Sequence, residues 1–412
     1  MVFTMADITT NIEAGVVERS TTETTSLLHA PQSWTEAELT EHDTHEPYFT
    51  VALKELKWMT TSSFWTALAL LLQSLIPFVN VVSVGHLGAT QLAAMVLSTN
   101  CYAVIASAPS IGMMGAMETF CGNAYTASRD KTLVGFHLQR GLVAVFAHLI
   151  IAVPILLNGE RILLAIGQEP LIAHLSGQYL NIQILGILPM TLFEACKCFL
   201  QSQELMSGGT TVLGFVVPIH ATINYLLVHS TYGIGYKGAA VATVISDWLM
   251  LCGILIYIKR SRAIEYWGRW DPKALRNMYE FYKLAIPSVI TVCASCFCFE
   301  LLSVSSSYFG AISLAATSIA INTNNFTFQI SSGIGYSSGP RIGNLIGAGK
   351  PRWARISRDI SLLVVAATGA IVIIFLTFCG RLWISVYTSD AEVVHETLKL
   401  MPVFCAYVIF DG

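Results

Sequence analysis

The sequence predicts an all-α polytopic membrane protein built as two related lobes of six helices each, with nine helices and the opening of a tenth present. Three observations predict it. Apolar stretches of about 20 residues recur along the chain, each long enough to cross a bilayer as a helix. Charged residues make up 12% of the 412 positions, half of the roughly 25% usual in a soluble domain. The chain also matches itself when its second half is slid back over its first. Lipid offers the backbone no hydrogen-bond partners, so a long apolar run crosses it as a helix rather than as an open strand.

Residues 1–55 are expected to be a disordered cytoplasmic tail. The first fifty residues carry nine acids against one base, Arg19, and show no periodicity. No basic region followed by an apolar core marks a cleaved signal peptide, and nothing in this acidic stretch suits nucleic acid. Glu23-Thr-Thr-Ser-Leu27-Leu28 spells an acidic dileucine sorting address, which suggests a vacuolar membrane, with the plasma membrane as the alternative.

Apolar segments follow at 63–84, 90–114, 134–157, 174–198, 210–230, 238–258, 284–308, 312–336, 359–379 and 395–412. Lys and Arg cluster before the first segment and after the second, fourth, sixth and eighth. The alternate connections hold only Arg161, Lys237, Arg381 and Lys399. Basic loops stay in the cytoplasm, so the N-terminus is expected there. The basic stretch 259–283, with Trp267, Trp270, Tyr279 and Tyr282, separates an N-lobe (56–258) from a C-lobe (284–412) and suggests an amphipathic linker on the membrane surface.

A single slide sets Gly88, Leu92, Ala93, Ala94 and Asn100 on Gly310, Leu314, Ala315, Ala316 and Asn322. With the slide shortened by one position, Gly112, Gly122, Asn123 and Ala127 fall on Gly333, Gly343, Asn344 and Ala348. A parallel repeat of this kind is a transporter architecture, with the site between the halves. Six helices per half imply twelve in all, so about two and a half are expected to be missing from a chain that stops at Gly412.

Ionisable and polar residues inside membrane helices mark the candidate site. Glu300 stands in an apolar helix. A carboxylate shielded from water can take up a proton near neutral pH and release it when water or a cation arrives, so one acid can exchange a proton for a cationic solute. Ser318, Asn322, Asn325, Gln329 and Ser332 are spaced to share one face of the next helix. Asp247, midway along the sixth segment, is a second apolar-embedded acid, either a titrating group or a partner for His220. Glu118, at the cytoplasmic end of the second segment, suits a gate or a packing role. Glu194 and Lys197 are spaced for an ion pair. Cys293, Cys296 and Cys298 lack a second ligand pair, so no metal or other cofactor is expected.

These motifs resemble the multidrug and toxic compound extrusion (MATE) family, most closely its fungal members. The resemblance spans about 60–412. It is carried by Val84-Gly85-His86-Leu87-Gly88, by Glu118 through Tyr125, by Phe199-Leu200-Gln201-Ser202-Gln203, by Asn224 with Gly238-Ala239-Ala240 and Trp248, and by Arg341 through Gly349. It implies a monomeric, non-enzymatic antiporter that exports organic, often cationic, solutes against protons, with sodium as the second choice. It further implies that Glu300 is the second acid of the family motif E-W-W-x-x-E, whose first acid is Ser295 here. Asp411 matches an acid of the tenth helix. Asn322 stands where some animal members carry Glu, Asn80 where prokaryotic members carry a proton-binding Asp, and Asn224 matches a polar position of the fifth helix. With Asn325 and Gln329 these amides are expected to line the solute cavity. Two other readings stand: a receptor or scaffold descended from a transporter, and a lipid-linked flippase, which would want a basic cavity.

Overall fold

The computed structural model describes residues 46–411 apart from 129, 232, 277, 308, 310, 386 and 389. The dileucine motif at 23–28 and the turn glycine Gly310 lie outside the described residues. Among the described residues every regular element is helical. These are α1 (Tyr48–Gly85), α2 (Ala89–Tyr102), α3 (Ala108–Ala127), α4 (Leu133–Leu157), the short α5 (Gly159–Ala165), α6 (Pro170–Ser202), α7 (Ser207–His229), α8 (Tyr236–Arg260), α9 (Met278–Ser307), α10 (Ala311–Gly347), α11 (Pro351–Ser385) and α12 (Ala391–Asp411). Eight spans, the α2–α3 run counting as one, are long and apolar enough to cross a membrane. The helices outrun the apolar segments because polar turns at their ends stay helical. Local sequence sets their limits. Gly88, at φ +140°, breaks the chain between α1 and α2. Gly349, at φ +69°, closes α10, and Pro351 opens α11 at its first position, the arrangement a left-handed cap and an N-terminal proline favour.

Between α2 and α3 the helix makes one π turn, Ala103–Ser107. This turn explains why the repeat offset shortens by one position partway along. From Asn100 to Gly112 the first copy has one residue more than the second has from Asn322 to Gly333. A π turn holds one residue more than an α turn, so the extra residue is absorbed there without breaking the helix.

α1–α8 pack around a core that includes Leu138, Phe193, Phe199, Leu213 and Ile254, all buried. The last helices carry a smaller core, with Ile319, Leu376, Ile384 and Phe404 buried. Phe281 and Ala285, from the start of α9, sit in the first core. The Lys- and Arg-rich helix ends lie together at one end of the bundle, here termed the basic end.

The connection between α8 and α9 is fastened to the bundle. It folds into two 3-10 turns, Arg262–Tyr266 and Pro272–Leu275, and docks on α4. The Gln139 amide donates to the Arg269 carbonyl at 2.8 Å and accepts from the Asp271 N–H at 2.9 Å. Lys131 pairs with Glu265 at 2.7 Å, and the Trp267 and Phe199 rings meet edge-on at 5.6 Å. A Cβ on Gly135 would strike the Trp267 carbonyl, so only glycine lets the linker lie this close. The Gln139 side chain is buried, and losing it removes the two hydrogen bonds that fasten the linker to α4. Gln139→Ala is expected to cost about 1–3 kcal/mol, read as a lower melting temperature of the purified protein in detergent.

Candidate functional site

The two repeats meet at the basic end about a local two-fold relationship. A Cβ built on Gly112 of α3 would lie 2.5 Å from the Val289 Cα of α9. One built on Gly333 of α10 would lie 2.7 Å from the Ala67 Cα of α1. Gly112 and Gly333 are repeat mates at the shorter offset, and Ala67 and Val289 are mates at the longer one. The same close approach is thus made twice. Farther toward the basic end the contacts are reciprocal, each glycine facing the asparagine beside its own mate. A Cβ on Gly122 would come 3.9 Å from the Asn344 Oδ1, and one on Gly343 would come 3.3 Å from the Asn123 Oδ1. The repeated Gly-Asn pair is therefore an interface motif, since small residues let backbones approach. Glu118 lies in this interface too: a Cβ on its mate Gly339 would be 2.9 Å from the Glu118 Oε1.

Ion pairs close the same end. Arg341 of α10 forks onto Glu55 of α1, with Nη2–Oε1 at 2.5 Å and Nε–Oε2 at 3.1 Å. Its Nη1 donates to the Glu204 carboxylate at 2.7 Å, and the Trp58 ring stacks 4.8 Å from the guanidinium. Asn344 donates to the Ser202 carbonyl at 3.2 Å, and its own backbone carbonyl accepts from the Thr126 hydroxyl at 2.6 Å. The Thr66 and Ser337 hydroxyls lie 3.0 Å apart across the interface. Glu55 is fully buried, and a bidentate guanidinium is what such a carboxylate requires. Glu204 is the one described non-glycine residue with positive φ, +61°. Strain of this kind persists where the surroundings hold it, and here Arg341 and Asn344 do so.

Sequence reading missed this lock. Glu55 lies 286 positions from Arg341, in helical turns too polar to be counted in the first apolar segment. Glu204 sits in a turn. The one local signal was the Arg341-to-Gly349 run itself.

Every hydrogen bond and glycine contact just described lies in the half of the bundle nearer the basic end. The polar stripe continues the contact face of α10 away from it. Asn322 and Gln329 precede Gly333 by eleven and four residues, about three turns and one turn on the same face. Asn322 and Asn325 are exposed, and Ser318, Gln329 and Ser332 are half-buried, so the helix that covers this face at Gly333 leaves the stripe largely uncovered. Neighbouring positions pack inward instead. Thr323 accepts a hydrogen bond from the Trp383 indole at 2.9 Å, and Asn324 is buried.

The backbone of Glu300 lies in α9 and that of Asp411 in α12; their side chains lie outside the described residues. Position 300 falls eleven residues after Val289 along α9. The Phe299 and Tyr407 rings meet edge-on at 6.3 Å, which sets α9 and α12 side by side at that level.

In α1–α8 the structure bonds Asn80 of α1 to Asn224 of α7, with His220 also on α7 and Asp247 on α8. Asn80 donates to the Thr243 hydroxyl at 2.9 Å and accepts from the Asn224 amide at 2.7 Å. One turn from Asn224, His220 pairs with Ser246 at 2.9 Å. Asp247 follows on α8, buried against Gly186 of α6. His220 and Asp247 are not direct partners. Glu194 pairs with Lys197 at 2.7 Å, and Gln73 hydrogen-bonds to both.

Membrane-length helices in two parallel repeats that meet on a common axis define a two-bundle transporter architecture. The MatE family model matches residues 66–226 and 287–412. The chain belongs to the MATE family of transporters. It is 33% identical over 368 residues to the uncharacterized transporter C4B3.13 of Schizosaccharomyces pombe, covering 85% of this chain and 68% of that one. It is 29% identical to Protein DETOXIFICATION 17 of Arabidopsis thaliana, covering 91% and 78% of the two chains. The crystal structure of the eukaryotic MATE transporter AtDTX14 superposes with a TM-score of 0.80 at 23% identity, over 89% of this chain and 81% of that one.

Proposed function

We propose that this MATE transporter is a proton-coupled antiporter that exports organic, often cationic, solutes by alternating access. The observation that carries the reading is the confinement of the lock to the basic end, while the polar stripe stays open on the same face of α10. Such an arrangement is closed on one side and polar above the closure. By the distribution of Lys and Arg, the basic end is cytoplasmic, so this conformation faces outward from the cytoplasm. Opening the lock would expose the same stripe to the cytoplasm.

Glu300 and Asp411 are assigned as the proton and solute carboxyls of the C-lobe, with Asn322, Asn325 and Gln329 lining the path. Asn80 cannot take up a proton. With Asn224 it supplies amide lining on the N-lobe side. Multidrug and toxin extrusion protein 1 of Oryctolagus cuniculus, 27% identical over 365 residues, bears a name that supports the substrate class. The intramembrane charges do not form the basic cavity a flippase would want. We place the protein as a monomer in the vacuolar or plasma membrane.

In vesicles holding the full-length protein, an imposed pH gradient is expected to drive ethidium uptake. Glu300→Gln is expected to abolish it. Undiminished uptake in that variant would end the assignment.

A further inference from the structure

We propose that the N-lobe holds a proton-binding site of its own, the carboxyl of Asp247 on α8, set against Gly186 of α6. This rests on the antiport reading and adds a second carboxyl to it, in the lobe where Asn80 cannot titrate.

The placement comes first. Asp247 is the twelfth residue of the 25-residue α8, so it lies at mid-membrane depth, where transporter sites form. It is 5% exposed. No donor and no cation pairs with it among the described residues. An isolated buried carboxylate is costly, whereas the neutral acid carries its own O–H donor.

The helices packed on α8 carry unpartnered buried acceptors. Asn224 Oδ1 and Gln183 Oε1 are buried acceptors with no hydrogen-bond partner. Gln183 lies one turn from Gly186, on the side of α6 that meets Asp247. The cradle is shaped for the acid: a Cβ on Gly186 would collide with the Asp247 Oδ2, so glycine is what lets the carboxyl reach α6.

The residue that the first repeat has in excess of the second sits at Ala103–Ser107. Tyr102, at the mouth of that turn, is the titratable group of α2 close enough to interact electrostatically with Asp247. π turns recur at functional sites because they free backbone groups and redirect side chains. From α7 the titratable neighbour is His220, held one residue away through Ser246. From α1 and α6 the facing groups are Asn80, through Thr243, and Gly186, none of which titrates.

The test uses the full-length protein in proteoliposomes, with ethidium as the transported probe. Asp247→Asn is expected to lower uptake driven by the pH gradient at least tenfold and to flatten its pH profile, and Asp247→Glu to restore part of both. Wild-type uptake and pH profile in Asp247→Asn, with wild type responding to the gradient, would overturn the N-lobe site alone. No response in wild type would overturn the antiport reading itself.

A measurement on unmodified protein stands beside these in case the variants fail to fold. Dicyclohexylcarbodiimide attacks protonated carboxyls in apolar settings, and mass spectrometry is expected to find it on Asp247, with labelling falling as pH rises. Absence of label across the pH range would refute the site. Protection by sodium chloride but not by choline chloride would assign it to sodium and overturn the proton reading.

Discussion

Cysteines at positions 66 and 337 are expected to stop transport completely under oxidising conditions and to restore it on reduction. The Thr66 and Ser337 hydroxyls stand 3.0 Å apart, one on α1 and the other on α10. Two sulfur atoms in their places need only a short contraction to reach disulfide bonding distance. If the protein works by parting these helices, the bond holds it with the basic end shut. The double variant is made in a background without the ten native cysteines and assayed for ethidium uptake in vesicles before and after dithiothreitol. Full uptake with the bridge demonstrably formed would mean that this end does not open during transport.

Arg341→Ala is expected to shift the resting population toward an open basic end by about two orders of magnitude. The Glu55 carboxylate is fully buried, and the guanidinium that neutralises it is only 17% exposed. Removing one partner of a buried pair leaves an uncompensated charge, at about 3–5 kcal/mol. The lower figure suits a partly exposed lock and corresponds to roughly a hundredfold change in a two-state ratio. The shift is measured as faster reaction of a Thr66→Cys reporter with a membrane-impermeant maleimide added on the side of the basic end. Glu55→Gln together with Arg341→Gln is expected to show less than the sum of the single effects, since each has already broken the same pair. An unchanged labelling rate in Arg341→Ala would remove Arg341 from the gate.

The fold was largely legible because lipid imposes one local rule, an apolar run per helix, and the repeat then ordered the helices. All ten apolar segments correspond to helices, and the change of repeat offset coincides with the π turn. The second offset also marked Gly112 and Gly333 as equivalents. Their purpose stayed hidden, because a glycine in a membrane helix does not announce which backbone it meets. The candidate site was legible in parts. Asn80 and Asn224 were each marked for the cavity, and they prove to be bonded to one another. The polar stripe gave a helical face without telling that Thr323 and Asn324, beside it, would be the packed residues. The Glu55–Arg341–Glu204 lock could not be read at all. Its members lie in a polar helix end, a motif and a turn, and nothing local couples residues so far apart along the chain.

The doubled glycine contact restricts how the molecule can move. At Gly112 and Gly333 main chain abuts main chain on either side of one axis, with no side chain in between to swing clear. Parting that end therefore means drawing main chain away from main chain at both points.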